Sequence, residues 1–295
     1  MLSQTGLELL KKYVVQNQIL NSLNIRWIGC YRTISAQHHT QYPEKICMLL
    51  DSTSPSPLDG EIHLLKLSKP LKRIAFAINT SIMKIQAKIC GLQTSDSVDC
   101  AVEAGASMVG FVFFPPSPRS ISISDAATLT SRVPDGVKKV ALTVNADDTL
   151  LADIVKNAGV DILQLHGNEE PERVFEIRHT FGLPVIKALP VEDQVDLMVA
   201  RGYDAVVDYF LFDARPPSDA TRPGGNAVAF DWKVLNGFSL AKPWLLAGGL
   251  TPENVAEAAQ ISGAHWVDVS SGVEDAPGNK NLDKIRQFLR ALEPR

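Results

Sequence analysis

The sequence has few cysteines, few aromatic residues and no large excess of charge of either sign. Only 4 of its 295 residues are cysteine, 7% are aromatic, and the formal net charge is −4 at pH 7. Four cysteines in a chain of this length exclude a disulfide-rich scaffold and indicate reduced thiols, so we expect a cytoplasmic location. The small net charge argues against a nucleic-acid-binding surface over the whole molecule.

Long hydrophobic runs are also missing. No apolar segment approaches the ~18 residues of a transmembrane helix, so we expect no contact with a membrane. Hydrophobic residues nevertheless make up 45% of the chain and charged residues 21%, which is the balance of a globular protein with a sizeable core. The length of 295 residues suits one large domain or two ordinary ones.

Charge is distributed unevenly along the chain. Residues 1–82 contain 9 Lys and Arg against 5 Asp and Glu, whereas residues 83–295 contain 20 against 28, so the two parts carry +4 and −8. Residues 1–82 show no repeating element, and residues 52–57 are typical of a turn or linker. We expect an N-terminal extension here, disordered or translated from a start codon placed too early, with Met83 as the natural first residue. A targeting segment is the alternative.

From Met83 onward a unit recurs, made of a short apolar run, a polar or glycine-rich turn and a helical pattern. Eight units in 213 residues leave about 27 residues each, and runs of this kind are typical of strands buried on both faces of a parallel sheet. The pattern therefore predicts an α/β fold, a closed (β/α)8 TIM barrel over residues 83–295. The competing open, doubly wound sheet lacks the Gly-x-Gly-x-x-Gly turn expected after its first strand. The apolar runs are residues 85–90, 108–113, 137–144, 162–166, 185–189, 205–212, 244–247 and 266–269.

Glycines follow four of the expected helices and mark where those helices end. They are Gly105, Gly159, Gly202 and Gly263. A glycine just past a helix end commonly takes the left-handed conformation and caps the last turn. We expect this conformation at all four positions.

Catalytic groups are expected where the strands end, because the active sites of such barrels lie at the carboxyl ends of the strands. The first run ends at Cys90, and the sixth ends at Asp213 after four apolar residues. Nearby positive charge would lower the pKa of Cys90 and supply a thiolate, although an inert buried cysteine is an equal alternative. Partial desolvation would keep Asp213 protonated as a general acid, although a lone aspartate more often caps a turn.

Two further side chains follow strands and are candidates for the same pocket. Arg119 lies in the proline-rich loop after the second run, where its guanidinium suits a fixed bidentate contact with a carboxylate. His166 ends the fourth run. We expect a structural role for this histidine, because a single histidine at such a position is more often structural than catalytic.

Small residues follow the seventh and eighth runs. Loops after strands 7 and 8 are the usual phosphate cradle of such barrels, because small residues let backbone N–H groups approach an anion. One loop of this kind alone would more simply be a tight turn, but two adjacent ones favour phosphate binding. The residues concerned are Gly248, Gly249, Ser270, Ser271 and Gly272.

Several segments between Met83 and the C-terminus occur together, in this order, in one enzyme family. They are Lys88-Ile89-Cys90-Gly91, Gly110-Phe111-Val112-Phe113, Ser117-Pro118-Arg119-Ser120-Ile121-Ser122, Gln164-Leu165-His166-Gly167, Leu211-Phe212-Asp213, Gly224-Gly225 with Phe230-Asp231-Trp232, Gly248-Gly249-Leu250, and Val267-Asp268-Val269-Ser270-Ser271-Gly272-Val273-Glu274. Together they resemble the phosphoribosylanthranilate isomerase family of tryptophan biosynthesis. The resemblance covers none of residues 1–82.

The resemblance implies an enzyme that isomerises N-(5-phosphoribosyl)anthranilate to 1-(2-carboxyphenylamino)-1-deoxyribulose 5-phosphate by an Amadori rearrangement. It implies neither a metal nor an organic cofactor. Asp213 would be the general acid, Cys90 the general base and Arg119 the contact for the anthranilate carboxylate. The two small-residue loops would hold the phosphate. We expect the phosphorylated substrate as partner, without nucleic acid or membrane, and the sequence leaves both a monomer and a homodimer open.

One departure from the family and two rival functions remain open. The family usually has a glycine where Ala227 follows Asn226, and a positive φ there would strain an alanine by ~1 kcal/mol or more. One rival is another phosphosugar barrel of tryptophan or histidine biosynthesis, which would use a different acid and base. The other is a non-catalytic barrel that only binds a phosphorylated ligand.

Overall fold

The computed structural model of this chain describes residues 85–215, 223–225 and 230–293. Eight parallel strands pair in chain order, and β8 also pairs with β1, so the barrel is closed. The predicted (β/α)8 barrel is thereby confirmed. The extension predicted for residues 1–82, with its boundary at Met83, lies outside the described residues. The strands are β1 Gln86–Cys90, β2 Met108–Val112, β3 Lys138–Thr143, β4 Ile162–Leu165, β5 Val185–Val191, β6 Tyr209–Ala214, β7 Trp244–Leu246 and β8 Trp266–Val269.

Helices follow most of the strands and cover the outside of the barrel. Several begin at side chains that accept a hydrogen bond from the first turn, such as Thr94 before α1 and Asp147 before α3. Among the described residues no helix is long and apolar enough to cross a membrane. The helices are α1 Ser95–Glu103, α2 Ile123–Thr130, α3 Asp148–Asn157, α4 Pro171–Phe181, α5 Gln194–Tyr203, α6 Val255–Ser262 and α7 Leu282–Ala291, with 3-10 turns at Trp232–Leu235 and Ser271–Val273. A short hairpin of β9 Glu274–Ala276 and β10 Asn279–Lys280 lies between β8 and α7.

Side chains along the strands alternate between two hydrophobic cores. The larger core lies between the strands and the helices, and the smaller one fills the barrel interior. Lys88 and Cys90 belong to the interior set, because they are in register with Met108 and Gly110. The interior core consists of Met108, Val140, Ile162, Ile186, Ala188, Leu211, Leu245 and Ala247.

Three of the four predicted glycine caps are confirmed. Gly105, Gly159 and Gly263 have φ of 92°, 63° and 75°. The prediction for Gly202 is wrong, because α5 continues through this residue to Tyr203 without a left-handed turn. The sequence reasoning also missed Gly182, which caps α4 with φ of 67°.

Candidate active site

A pocket opens at the carboxyl ends of β6, β7 and β8. Asp213 reaches it because it lies two residues beyond the interior residue Leu211 on the same face of β6. Asp268 and Ser270 reach it in the same way from β8. The lining residues are Asp213, Ala214, Arg215, Gly224, Gly225, Ala247, Gly248, Gly249, Leu250, Asp268, Val269, Ser270 and Ser271.

Cys90 lies at the end of β1 with a buried thiol. A Cβ atom at Gly110 on β2 would lie 2.9 Å from Sγ of Cys90 and 3.1 Å from Nζ of Lys88, so this glycine makes room for both groups. Burial raises the pKa of the Cys90 thiol, and Asp268 raises it further, while Lys88 and Lys280 oppose the rise without cancelling it. The lowered pKa expected from the sequence is therefore wrong.

Lys88 forms a buried ion pair beside this thiol. Its Nζ atom lies 2.7 Å from Oδ1 of Asp268, and the ammonium side chain is fully buried. Burial alone would lower the pKa of Lys88, but Asp268 and Cys90 outweigh it and hold that pKa above its usual range. The sequence reasoning missed both members of the pair, although Lys88 lies two residues before Cys90 and therefore points to the same, interior face of β1.

Arg119 makes a bidentate contact with a carboxylate, and in this structure that carboxylate is Glu274 of β9. Its Nε and Nη2 atoms lie 2.7 and 2.8 Å from the two Glu274 oxygens. Its side chain packs against two glycines, since a Cβ atom at Gly91 would lie 2.6 Å from Cδ and one at Gly225 would lie 2.7 Å from Nη1. The guanidinium is therefore fixed between the residue after Cys90 and the pocket wall.

Lys280 of β10 connects the hairpin to the end of β8. Its Nζ atom donates to the Ser270 carbonyl at 2.8 Å and pairs with Oε1 of Glu274 at 2.7 Å. Ser270 in turn donates from Oγ to the Cys90 carbonyl at 3.0 Å. Burial lowers the pKa of Lys280, although Glu274 and Cys90 oppose that change.

Asp213 is buried, with one oxygen hydrogen-bonded and the other facing His166. Oδ1 accepts from the backbone N–H of Ala214 at 2.9 Å, and Oδ2 lies 3.4 Å from Nε2 of His166. The structural role expected for His166 omitted its contact with Asp213, which arises because β4 and β6 both pair with β5 and bring their ends close at the mouth of the barrel. Neither residue type nor local spacing signals this contact in the sequence.

The two small-residue loops pack against each other. Gly248 and Gly249 have φ of 85° and 61°, the left-handed region that favours glycine. A Cβ atom at Gly272 would lie 1.8 Å from the carbonyl oxygen of Leu250, so only glycine fits where the loops meet. Ser270 and Ser271 line the pocket on the other side. The departure at Asn226 and Ala227 lies outside the described residues.

Within the described part of the chain, no group of three or more His, Cys, Asp or Glu is arranged to hold a metal ion. The site instead offers a thiol at β1, a carboxyl at β6 and two glycine-rich loops after β7 and β8. Because β7 and β8 lie between β6 and β1 in the closed barrel, the loops separate the thiol from the carboxyl.

Comparison with known proteins gives a consistent result. The family model described as N-(5′-phosphoribosyl)anthranilate (PRA) isomerase matches residues 87–291. The N-(5′-phosphoribosyl)anthranilate isomerase of Paramagnetospirillum magneticum is 55% identical over 209 residues, which are 71% of this chain and 97% of that protein.

Two solved structures are similar over the same part of the chain. One is a phosphoribosylanthranilate isomerase in complex with reduced 1-(o-carboxyphenylamino)-1-deoxyribulose 5-phosphate, with a TM-score of 0.60 and 33% identity over 70% of this chain and 98% of that one. The other comes from the dimeric enzyme of Thermotoga maritima in a monomeric form, with a TM-score of 0.60 and 32% identity over 70% and 98% of the chains.

Proposed function

This chain belongs to the N-(5′-phosphoribosyl)anthranilate isomerase family, and we propose that it works by general acid and base catalysis between Asp213 and Cys90. It is an isomerase of tryptophan biosynthesis. One observation carries the mechanistic proposal: the carboxyl at β6 and the thiol at β1 flank the two glycine-rich loops of β7 and β8. A phosphorylated sugar held by these loops has one catalytic group on each side.

Asp213 starts the reaction by protonating the furanose ring oxygen. The bond between C1′ and this oxygen breaks, the nitrogen lone pair forms the C1′–N double bond, and the sugar opens to a protonated Schiff base. The carboxylate left behind accepts the N–H of Ala214 at Oδ1, which stabilises the charge that develops. An acid in this position contributes about 10²–10⁴-fold to the rate.

Cys90 then takes the C2′ proton as a thiolate. The electron pair of that C–H bond forms a C1′–C2′ double bond and neutralises the iminium nitrogen, which gives an enolamine that tautomerises to the ketone. Burial raises the pKa of this thiol, so the thiolate is the minor form in the resting site. The neighbouring Lys88 opposes that rise and favours the basic form.

The remaining groups bind the substrate. Arg119 contacts the anthranilate carboxylate from a position fixed by Glu274. Backbone N–H groups of both loops hold the phosphate, and the packing of Gly272 on Leu250 keeps the loops together. The residues assigned to the phosphate are Gly248, Gly249, Ser270, Ser271 and Gly272.

The proposed domain, location, partner and oligomeric state follow from the comparison with known proteins and from the chemistry of the Cys90 thiol. Residues 83–295 form the catalytic domain, which contains the whole family match. A thiol base must stay reduced, which supports a cytoplasmic location. The substrate is the only partner we propose, without nucleic acid or membrane. The chain is a monomer or homodimer, and the relative from Thermotoga maritima is described as dimeric.

Cys90→Ser and Asp213→Asn test the two roles, with turnover followed by the fluorescence of the anthranilate group. Each change should lower kcat by about 10²-fold or more, because a serine hydroxyl is too weak a base and an amide does not donate the acid proton. Cys100→Ser is the matched control, since Cys100 is also buried but contacts the Leu282 carbonyl in the outer core. Unchanged kcat in either site variant would contradict the role assigned to that residue.

A further inference from the structure

His166 contacts the proposed acid and is itself contacted by a buried amide. Its Nε2 atom lies 3.4 Å from Oδ2 of Asp213, and its Nδ1 atom lies 3.1 Å from Nε2 of Gln164. Gln164 is fully buried two residues earlier on the same face of β4. The three side chains therefore form a line that leads from the barrel interior to the pocket.

The orientation of the Gln164 amide bears on which nitrogen of the imidazole carries the proton. Its amide Nε2 faces Nδ1 of His166, while its Oε1 has no hydrogen-bond partner among the described residues. With the amide in this orientation its N–H donates to Nδ1, which would place the proton of a neutral imidazole on Nε2. His166 therefore presents an N–H group to Asp213.

Another buried ion pair, on the outer face of the barrel, fixes the backbone directly after His166. Nζ of Lys187 lies 2.8 Å from Oε2 of Glu169 and donates to the Gly167 carbonyl at 2.6 Å. The same Glu169 oxygen accepts from the Gly167 N–H at 3.0 Å. These contacts hold the turn after β4 and so set the position of the His166 ring. They also account for two buried charges that the pocket does not use.

Gly224 covers the contact between His166 and Asp213. A Cβ atom at this glycine would lie 2.6 Å from Oδ2 of Asp213 and 2.7 Å from Nε2 of His166, so no side chain fits there. A backbone this close limits the access of water to the pair. A hydrogen bond to a charged carboxylate is stronger in such surroundings than in water.

We propose that His166 is a positioning residue for the general acid and that Gln164 fixes its tautomer. The proposal rests on the role of Asp213 proposed above. When Asp213 gives its proton to the ring oxygen, its carboxylate becomes charged, and the Nε2–H of His166, 3.4 Å from Oδ2 in the resting site, closes to a hydrogen bond that the neutral acid does not make. His166 keeps its own proton throughout. The contact therefore stabilises the transition state of ring opening more than the bound substrate.

Two substitutions of His166 separate its donor function from its volume. His166→Leu removes the donor, whereas His166→Gln keeps an N–H group at the end of a side chain of similar reach. We expect kcat to fall about 10- to 100-fold in His166→Leu with KM nearly unchanged, which is the scale of a lost hydrogen bond to a charged group. His166→Gln should restore most of that loss. A leucine variant with unchanged kcat overturns the proposal.

Nuclear magnetic resonance of the imidazole nitrogens tests the role of Gln164. In the parent protein the proton should be found on Nε2, and in Gln164→Leu it should be shared between the two nitrogens. Turnover of Gln164→Leu should fall less than that of His166→Leu, because part of its imidazole population still donates to Asp213. A proton found on Nδ1 in the parent protein overturns the proposal.

A double-mutant comparison distinguishes a role through the acid from a purely structural role. If His166 acts through Asp213, then His166→Leu causes no further loss of kcat in an Asp213→Asn background. A further 10-fold loss in that background overturns the proposal. Full turnover by Asp213→Asn alone would instead overturn the proposed function of the acid, so the two failures give different results.

Discussion

Glu274 holds two buried cations beside the pocket, so neutralising it should destabilise the protein strongly. One carboxylate oxygen lies 2.7 Å from Nε of Arg119 and 2.7 Å from Nζ of Lys280. The other lies 2.8 Å from Nη2 of Arg119 and 3.2 Å from the Gly278 nitrogen. Glu274→Gln keeps the volume of the side chain but removes the charge that both cations share.

The expected loss follows from burial. The side chains of Glu274, Arg119 and Lys280 are only 3–5% exposed. Removing one partner of such a pair lowers the free energy of unfolding by about 3–5 kcal/mol, because the cations stay buried without compensation. For a domain of this size each kcal/mol corresponds to about 2–4 °C, so Tm should fall by roughly 6–20 °C.

The effect should depend on pH in a defined direction. Burial would raise the pKa of Glu274, but Arg119 and Lys280 outweigh it and hold that pKa below its ordinary value of 4.5. The carboxylate therefore contributes its full stability above pH 4.5, and this contribution is lost as pH falls through the folded-state pKa. The difference in stability between the parent and Glu274→Gln should be largest near neutral pH and shrink in acid.

Urea unfolding followed by circular dichroism measures the loss, and KM measured in parallel reports on Arg119. We expect KM to rise about 10-fold or more in Glu274→Gln, since the guanidinium loses the contact that orients it. Asp99→Asn is the control, because it breaks the exposed pair with Arg132 and should leave unfolding nearly unchanged. A free energy of unfolding within ~1 kcal/mol of the parent would refute the reasoning, since breaking a buried pair costs more than that.

Three further predictions concern the base and the loops. Lys88→Met should lower both kcat and the free energy of unfolding, because Asp268 loses its buried partner. The double variant Lys88→Met with Asp268→Asn should recover stability in urea unfolding, and a double variant without that recovery would contradict the pairing. Inactivation by iodoacetamide should keep accelerating as pH rises past 9.0, because burial raises the pKa of Cys90, and a plateau reached below pH 8 would contradict that shift. Gly272→Ala should raise KM by separating the loops, whereas Gly202→Ala should leave the kinetics unchanged, because a Cβ atom at Gly202 would contact no neighbouring atom. Equal KM values in both variants would count against the loop contact.

The barrel could be predicted from the sequence because most residues of its strands are buried on both faces and so form short, mainly apolar runs. The short hairpin of β9 and β10 could not, since its residues include charged side chains and a turn rather than a run. Its strands form where Glu274 and Lys280 meet a buried arginine from the loop after β2. The end of α5 was also missed, because Tyr203 is held by a hydrogen bond to the Glu169 carbonyl rather than by a capping glycine.

The residues of the candidate site likewise fall into those that the sequence reveals locally and those that only the fold brings together. The ends of strands reveal Cys90 and Asp213, since an apolar run followed by a polar residue is visible locally. The partners of these groups are not visible, because Lys88 and Asp268 are 180 positions apart and meet only when β8 closes onto β1. Sequence reasoning therefore pointed to the groups proposed to react but gave the wrong direction for the pKa of Cys90, which depends on burial.

Burial, rather than the net charge around the proposed base, raises the pKa of the Cys90 thiol at rest. The cations are Lys88, Arg119 and Lys280, and the carboxylates are Asp268 and Glu274. These described groups leave one positive charge in excess, which the anthranilate carboxylate of the proposed substrate balances. In the proposed reaction, ring opening places an iminium next to C2′, which makes the C2′ proton more acidic, while the carboxylate formed at Asp213 balances the new charge. Cys90 therefore removes the C2′ proton only after Asp213 has opened the ring, because the C2′ proton is acidic enough only next to the iminium.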